Sequence, residues 1–293
     1  MATVTVVILN TNRKIDTLRC IESLTNQNIG YHSCEILVID NGCNDGSNLA
    51  ITESYPSVRI ISTEVDKGYA GNNNYGVFKG NVSSDYLFIV NEDAYLLPDV
   101  LRKLMDFLDE NSDVGIIGPV VVNESDINKV QANGCVLTED YSVAWRNFNN
   151  PVSSLNHEPE YVDWVHGCGF MIRTELFRQL GGFWQELYYT WEEVDLCVRT
   201  KAAGYSVVVH PSVHLAHRDS PSEPSVGNRY YMTRNKLFFL NRHATSAIYI
   251  TELIRVVLVV SKSVLASGWV STRPLAWGFI DALFGRYGKC RWR

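Results

Sequence analysis

The chain has 293 residues, 46% of them apolar and 20% charged, with a formal net charge of −6. That length holds one large α/β domain, or one domain with an appendage, and the composition excludes a disordered chain. The acidic balance argues against a nucleic-acid partner, which calls for a basic excess.

Val4 to Leu9 is a continuous β-branched run and predicts a buried parallel strand. A helix is predicted over Asp16 to Gln27 and a strand over Cys34 to Ile39, closed by the turn Asp40-Asn41-Gly42. Asn48 to Ser54 reads as helix, Val58 to Ser62 as strand and Gly71 to Gly80 as helix after a glycine-rich entry. Asp85 to Val90 is a fourth strand, and Pro98 starts a helix that runs to Asn111. This alternation implies an α/β fold with a mostly parallel sheet flanked by helices.

Beyond Gly115 the pattern changes. Strands at Gly115 to Val122 and Gly134 to Leu137 are separated by polar loops, with Asn147 to Pro159 read as flexible. A helix from Thr174 ends at Gly181-Gly182, another spans Glu192 to Ala203, and Tyr205 to His210 is a strand. No signal peptide is expected, because no basic or apolar leader precedes the first strand. Seven cysteines without CxxC spacing read as reduced thiols of a cytoplasmic protein.

No run reaches the roughly 18 uninterrupted apolar residues of a membrane span. In the nearest stretch, Ala247 to Val270, charges at Glu252, Arg255 and Lys262 leave Ile248, Leu253, Val256, Val257, Val260 and Val264 as an apolar stripe. Such a helix either packs on its own domain or lies on a membrane surface. The tail after it carries Arg273, Arg286, Lys289, Arg291 and Arg293 against one acid, Asp281, and would favour the second reading.

Chemistry concentrates in two acidic groups. Trp191-Glu192-Glu193-Val194-Asp195 sets three carboxylates within four residues of an apolar, aromatic run. Such crowding costs desolvation energy and suits a general base, a cation ligand or a solvated helix start. The spacing of Asp195 and Arg199 suits an i,i+4 ion pair. Asn91-Glu92-Asp93 ends the strand of Val90, where oxygen ligands for Mg²⁺ or Mn²⁺ or an ordinary loop would both fit. Asp40 closes a strand either as a nucleotide-binding carboxylate or as an Asx turn. Gly68 to Asn74 is either a backbone cradle for a diphosphate or a capped helix entry. His214 and His217 lack the cysteine partners of a zinc site.

The ordered set of motifs resembles the family 2 glycosyltransferases of GT-A fold, and among them the bacterial rhamnosyltransferase-like branch. The matching blocks are Val7 to Arg13, Val38 to Gly42, Asp45 to Ser47, Lys67 to Asn74, Val90 to Asp93, His166 to Arg173, Gly181 to Phe183, Trp191 to Arg199, His217 and Arg234-Asn235. The resemblance implies one catalytic domain over residues 1–240, divided near residue 110 into a nucleotide-binding and an acceptor half. Residues 241–293 would form a C-terminal helical extension. It implies that Leu9, Thr11, Asp40, Asn41, Gly68, Asn72, Asn74, Asn91 and Glu92 bind a nucleotide-sugar donor, dTDP-L-rhamnose or a UDP-sugar. Asp93 and His217 would hold a divalent cation, Mg²⁺ or Mn²⁺. Glu193, with Glu192 beside it, would be the catalytic base, and His166, Gly167 and Trp191 would line the site of a glycan or lipid-linked acceptor. The chain departs from the family pattern at Asn91, where an acid is usual, at Thr11, and in using Glu where Asp often serves as base.

Two other functions stay open on the residues alone. A sugar-phosphate nucleotidyltransferase would need a basic glycine-rich loop that Asn10 to Lys14 does not supply. A sugar-nucleotide-binding scaffold with a degenerate site is compatible with Asn91.

Overall fold

The computed structural model describes residues 1–219 and 225–291. The first half alternates as predicted: β1 (Thr3–Asn10), α1 (Lys14–Thr25), β2 (Ser33–Asp40), α2 (Ser47–Ser54), β3 (Arg59–Ser62), α3 (Gly68–Lys79) and β4 (Tyr86–Asn91). There follow β5 (Ala94–Leu96), α4 (Val100–Glu110), β6 (Val114–Asn123), β7 (Val130–Ala132), β8 (Cys135–Leu137) and β9 (Val143–Trp145). The chain continues through β10 (Glu160–Tyr161), β11 (Gly169–Arg173), α5 (Thr174–Gln179), α6 (Glu192–Ala202), β12 (Ser206–His217), α7 (Val226–His243) and α8 (Ser246–Leu283).

The main sheet runs β10-β12-β6-β11-β4-β1-β2-β3, with β5 on β12 and β7 on β6. Pairing is parallel through β3, β2, β1 and β4 and again between β6 and β12. The two-residue period of the strands sorts the core into two faces. Val7, Leu9, Leu37 and Ile39 join Val77 of α3 and Phe239 of α7 on one. Val6, Ile8, Val38 and Phe88 join Ile21 of α1 and Leu104 of α4 on the other.

The register places the chemistry. Asn10 pairs with Asp40 and Leu9 with Asn91, so β1, β2 and β4 end together at one edge of the sheet. That edge is where ligands bind in open α/β sheets. β11 is antiparallel to β4, with Gly169 opposite Val90, so the preceding His166-Gly167-Cys168 loop reaches the same edge. His217 at the end of β12 pairs with Ala94, directly beside Asp93.

Four elements depart from expectation in ways that bear on the site or the C-terminal helices. The strand expected to stop at His210 runs on to His217, because an irregularity between His210 and His214 lets pairing with β6 resume after Pro211. The sequence pattern predicted neither β11 nor α7; the buried face of α7 includes Arg234 and Asn235, which blurs its apolar stripe. α7 also runs across position 240, where the helical extension was expected to begin. The last helix extends past Val270 to Leu283 and breaks at Gly268, whose φ of 76° no helix accommodates. Its second arm turns back, the Thr272 hydroxyl donating to Ser263 Oγ at 2.8 Å. Ile248 and Leu253 of the predicted stripe do pack on the core, and Val256 is buried. No helix among the described residues is long and apolar enough to cross a membrane. Arg293 of the basic tail lies outside the described residues.

Candidate active site

A cavity of about 460 Å³ opens at the carboxyl edge of β1, β2 and β4. Of the expected donor residues, Leu9, Thr11, Asn41, Gly68, Asn72, Asn91 and Glu92 line it, and so does Asp93. Two others are not among its lining residues. Asp40 accepts from the Cys43 N–H and the Ser62 hydroxyl, at 2.8 and 2.9 Å. Burial opposes its charge, but these bonds outweigh it and hold its pKa below the usual range. Asn74 faces the next loop, donating to the Phe183 carbonyl and accepting from its N–H, at 2.8 and 2.9 Å.

Asp66, which no sequence argument singled out, stands at the cavity wall. It accepts from the Gly68 N–H at 2.9 Å, the Tyr188 hydroxyl at 2.7 Å and Lys289 Nζ at 2.8 Å. The basic tail therefore comes back to the donor side of the cleft. Gly68 has φ 72°, and a Cβ there would lie 2.2 Å from the Tyr188 carbonyl. Only glycine lets the loop and α3 approach this closely.

The acids of β4's end divide their work. Glu92 turns inward and accepts from the backbone N–H of Thr11 at 2.7 Å and from the Thr11 hydroxyl. It anchors the β1–α1 loop, and burial raises its pKa despite those bonds. Asp93 faces the cleft. Its Oδ2 accepts from Arg13 Nη1 at 2.9 Å, and its Oδ1 lies 3.3 Å from His217 Nε2. Burial works against its charge, but His217, Arg13 and Arg218 outweigh it and keep the pKa low.

Gln131, also missed in the sequence, sets the state of His217. Its Nε2 donates to the Arg218 carbonyl at 3.0 Å, which turns Oε1 towards His217 Nδ1 at 2.9 Å. An amide oxygen only accepts, so Nδ1 carries a proton and Nε2 faces the Asp93 carboxylate. Nε2 then either donates to that carboxylate as an ion pair or, in the neutral ring, presents a lone pair beside it to a cation. An Asp–His pair with its imidazole oriented from behind is the donor set of a divalent-cation site. Among the described residues no group of three or more His, Cys, Asp or Glu side chains could hold a metal ion, so a cation here would find at most this pair among such side chains. Cations that keep waters and substrate phosphates in their shell need no more.

The second acidic group lies next to this pair. The Tyr69 hydroxyl donates to the Gly167 carbonyl at 3.1 Å, and its pKa is raised by burial and by Glu192, Glu193, Cys168 and Asp93 around it. A Cβ on Gly167 would sit 3.2 Å from the Glu193 carboxyl carbon. The rings of His166 and His217 are 5.9 Å apart. His166 Nδ1 accepts from the Cys168 N–H, and burial followed by the nearby His217 pushes its pKa down to about 3, so it is neutral.

Thr190 Oγ1, Trp191 Nε1, Glu192 Oε2 and Glu193 Oε2 are all buried without a hydrogen-bond partner. Four consecutive residues thus each carry an unsatisfied buried polar atom at one place, which is costly and requires a physical reason. Burial raises the pKa of Glu193 to about 7, and burial and the neighbouring Glu193 raise that of Glu192 well above the ordinary value. Asp195 stands apart, paired with Arg199 at 2.7 Å as its spacing predicts and lying 2.8 Å from His243 Nε2.

The loop that presents these carboxylates is strained. Tyr188, Thr190 and Trp191 all have left-handed φ, from 66° to 72°. Asn235 holds it, its amide group donating to the carbonyls of Leu187, Tyr189 and Thr190 at 2.7–3.0 Å. Buried Arg234 donates to Leu187 O and orients Asn235 by donating to its Oδ1. Asn235→Ala frees buried carbonyls under a strained loop and should cost about 3 kcal/mol. Urea denaturation checks that value, and an unchanged midpoint would show that the loop holds itself.

The sheet, the cleft at its carboxyl edge and the flanking helices are those of the GT-A glycosyltransferases. The model of glycosyl transferase family 2 matches residues 5–181, and the chain belongs to that family. It is 24% identical over 233 residues to the N-acetylglucosaminyl-diphospho-decaprenol L-rhamnosyltransferase of Mycobacterium tuberculosis, covering 71% of this chain and 75% of the relative. It is 21% identical over 266 residues to the dTDP-rhamnosyl transferase RfbF of Shigella flexneri, covering 85% and 83%. These relatives make it a rhamnosyltransferase-like member. The fold matches that of the mannosyltransferase PcManGT of Pyrobaculum calidifontis, solved in complex with GDP-Man and Mn²⁺, with a TM-score of 0.61 and 14% identity over 97% of this chain and 87% of that one.

Proposed function

We propose that this chain is an inverting glycosyltransferase of polysaccharide assembly. Its donor is a nucleoside-diphosphate sugar, dTDP-L-rhamnose first and a UDP-sugar second, and its acceptor is a hydroxyl of a glycan or lipid-linked glycan. The observation that carries this reading is the Glu192–Glu193 pair, each with one unpartnered buried oxygen, gathered with Asp93 around Tyr69 of the donor cavity's wall. The names of the two rhamnosyltransferase relatives support the donor and acceptor classes.

Glu193 is the base. With its pKa near 7 it is ionised in about half the molecules at neutral pH and can take a proton from an acceptor O–H. The oxygen so freed attacks the anomeric carbon as the bond to the diphosphate oxygen breaks on the opposite side. Glu192 stays protonated and serves as a neutral neighbour to the acceptor, because two adjacent buried carboxylates do not both ionise. Arg13, at the cavity wall, adds positive charge beside Asp93. Asp93 and His217 would hold a divalent cation, which would supply positive charge to the departing diphosphate.

Incubation with dTDP-L-rhamnose or a UDP-sugar and a lipid-linked acceptor tests the reading. The expected product has inverted anomeric configuration by NMR, and EDTA stops its formation. Retention of configuration would overturn the single-displacement step, and undiminished transfer in EDTA would overturn the metal assignment.

A further inference from the structure

The segment that follows α8 returns to the donor cleft and is fixed there residue by residue. The Tyr287 ring stacks on Phe238, with 4.1 Å between ring centres. The Gly288 N–H donates to the Glu186 carbonyl at 2.9 Å, and buried Arg234 donates to the Gly288 carbonyl at 2.7 Å. Arg234 also donates to the Leu187 carbonyl, so one guanidinium holds both this segment and the loop that presents Glu192 and Glu193. The Cys290 N–H donates at 2.7 Å to the hydroxyl of Tyr231, a residue of the donor cavity's wall. Between these anchors Lys289 Nζ donates to Asp66 Oδ2 at 2.8 Å.

Three carboxylates, Asp66, Glu92 and Asp93, line the donor cavity, and Arg13 is the one Lys or Arg among its lining residues. Arg13 serves the acids of β4's end, 2.9 Å from Asp93 and 3.7 Å from Glu92. Asp66 has different neighbours: the Gly68 N–H, the Tyr188 hydroxyl and, at 3.4 Å, the Asn41 amide. Burial opposes its charge, but Lys289, Tyr188 and the Gly68 N–H outweigh it and keep the pKa low, so Asp66 is ionised at neutral pH. An uncompensated carboxylate on this wall would repel a diphosphate. The Lys289 and Asp66 side chains are 62% and 33% exposed, and an ion pair so open adds little to stability. Its larger effect is on the field inside the cavity.

We infer that Lys289 is a positioning residue of the donor site: it cancels the charge of Asp66, so that this wall of the cavity admits an anionic nucleoside diphosphate. Lys289 acts through Asp66 and leaves the reacting atoms to Glu193 and Asp93. It lies more than 100 positions beyond the residues that the family model matches, 5–181, and belongs to none of the motifs in the sequence. This inference rests on the glycosyltransferase reading and adds to it a donor-site residue supplied by the segment after the last helix.

The probes are dTDP and UDP, titrated calorimetrically into the full chain at low ionic strength and fixed Mn²⁺. Thymidine and uridine are the uncharged counterparts, measured by displacement of the diphosphates. Lys289→Met should weaken both diphosphates about tenfold and leave the nucleosides within about twofold. Lys289→Glu should weaken the diphosphates further, and Lys289→Arg should restore them. The gap between Lys289→Met and the unsubstituted chain should narrow as salt rises to about 0.5 M, because exposed charges are screened. The melting temperature of Lys289→Met should fall by no more than about 3 °C, so that lost affinity is not lost folding. Diphosphate affinity unmoved by Lys289→Met would overturn the inference and leave Lys289 as a surface staple. Nucleoside affinity lost to the same degree as diphosphate affinity would also overturn it, since the segment would then shape the pocket and not its charge. If the unsubstituted chain binds neither dTDP nor UDP, the donor reading fails before any substitution is made, and this inference falls with it. If it binds them and Lys289→Met changes nothing, only this inference falls.

Discussion

Glu193→Gln is expected to lower the transfer rate by about 10²–10⁴-fold, the range for loss of a positioned general base, while nucleotide-sugar affinity stays nearly unchanged. The amide keeps the size of the side chain and its place against Gly167 but cannot accept the proton. In the unsubstituted enzyme the rate should rise with pH and level off above an inflection near 7, because the active form of the base is the ionised one. Glu192→Gln should leave that inflection in place, since Glu192 is already uncharged there; Glu193→Gln should erase it. Full activity in Glu193→Gln would transfer the role to Glu192.

The same group governs stability. The folded pKa of Glu193 is raised above its ordinary value of 4.5, so the folded chain binds the proton more tightly than the unfolded one. The stability this contributes is complete below about pH 4.5 and is lost as pH rises through 7. At pH 8 Glu193→Gln should therefore be more stable than the unsubstituted chain by about 3 kcal/mol, and near pH 4 the two should match. Thermal denaturation at the two pH values reads the difference. A variant inactive yet more stable at high pH separates a catalytic defect from a folding defect, which a loss of activity alone does not.

The residues that were legible in the sequence are those whose chemistry and position coincide along the chain. Strand ends at Leu9, Asp40 and Val90 announced the edge of the sheet, because continuous β-branched runs break there into polar groups. The acids at Glu192 and Glu193 announced themselves by being costly in an apolar run. Hidden were the residues whose roles depend on pairing across the fold. Gln131 sits in a three-residue strand with no motif, and its meaning comes only from standing behind a histidine 86 residues away. Asp66 became a site residue through Tyr188 and Lys289, which lie 122 and 223 positions distant. Asp40 is the converse case: its place at a strand end was legible, while the engagement of its carboxylate by the Cys43 N–H and by Ser62 of β3 was not. β11 was obscured by the glycines of His166 to Gly169, a pattern that reads as loop until β4 and β6 are present to pair with it.

The metal assignment leads to the other large effect. Asp93→Asn keeps the shape of the side chain but removes the negative charge shared by His217 and Arg13, and transfer should fall by about 10²–10³-fold. Gln131→Leu touches neither the donor nor Asp93. It removes the acceptor that holds the proton on His217 Nδ1, so the imidazole can turn its other tautomer to the cleft, and Mn²⁺ affinity should drop by about 10–100-fold. Titration of free Mn²⁺ by electron paramagnetic resonance reads this without any turnover. The two substitutions separate alternatives that activity alone would merge. If His217 and Asp93 form only a protein ion pair, Asp93→Asn will lower stability and leave Mn²⁺ binding as it was. If they are ligands, both substitutions will weaken Mn²⁺ binding, and raising the metal concentration will restore transfer in Gln131→Leu, whose ligands remain, far more than in Asp93→Asn, which has lost one.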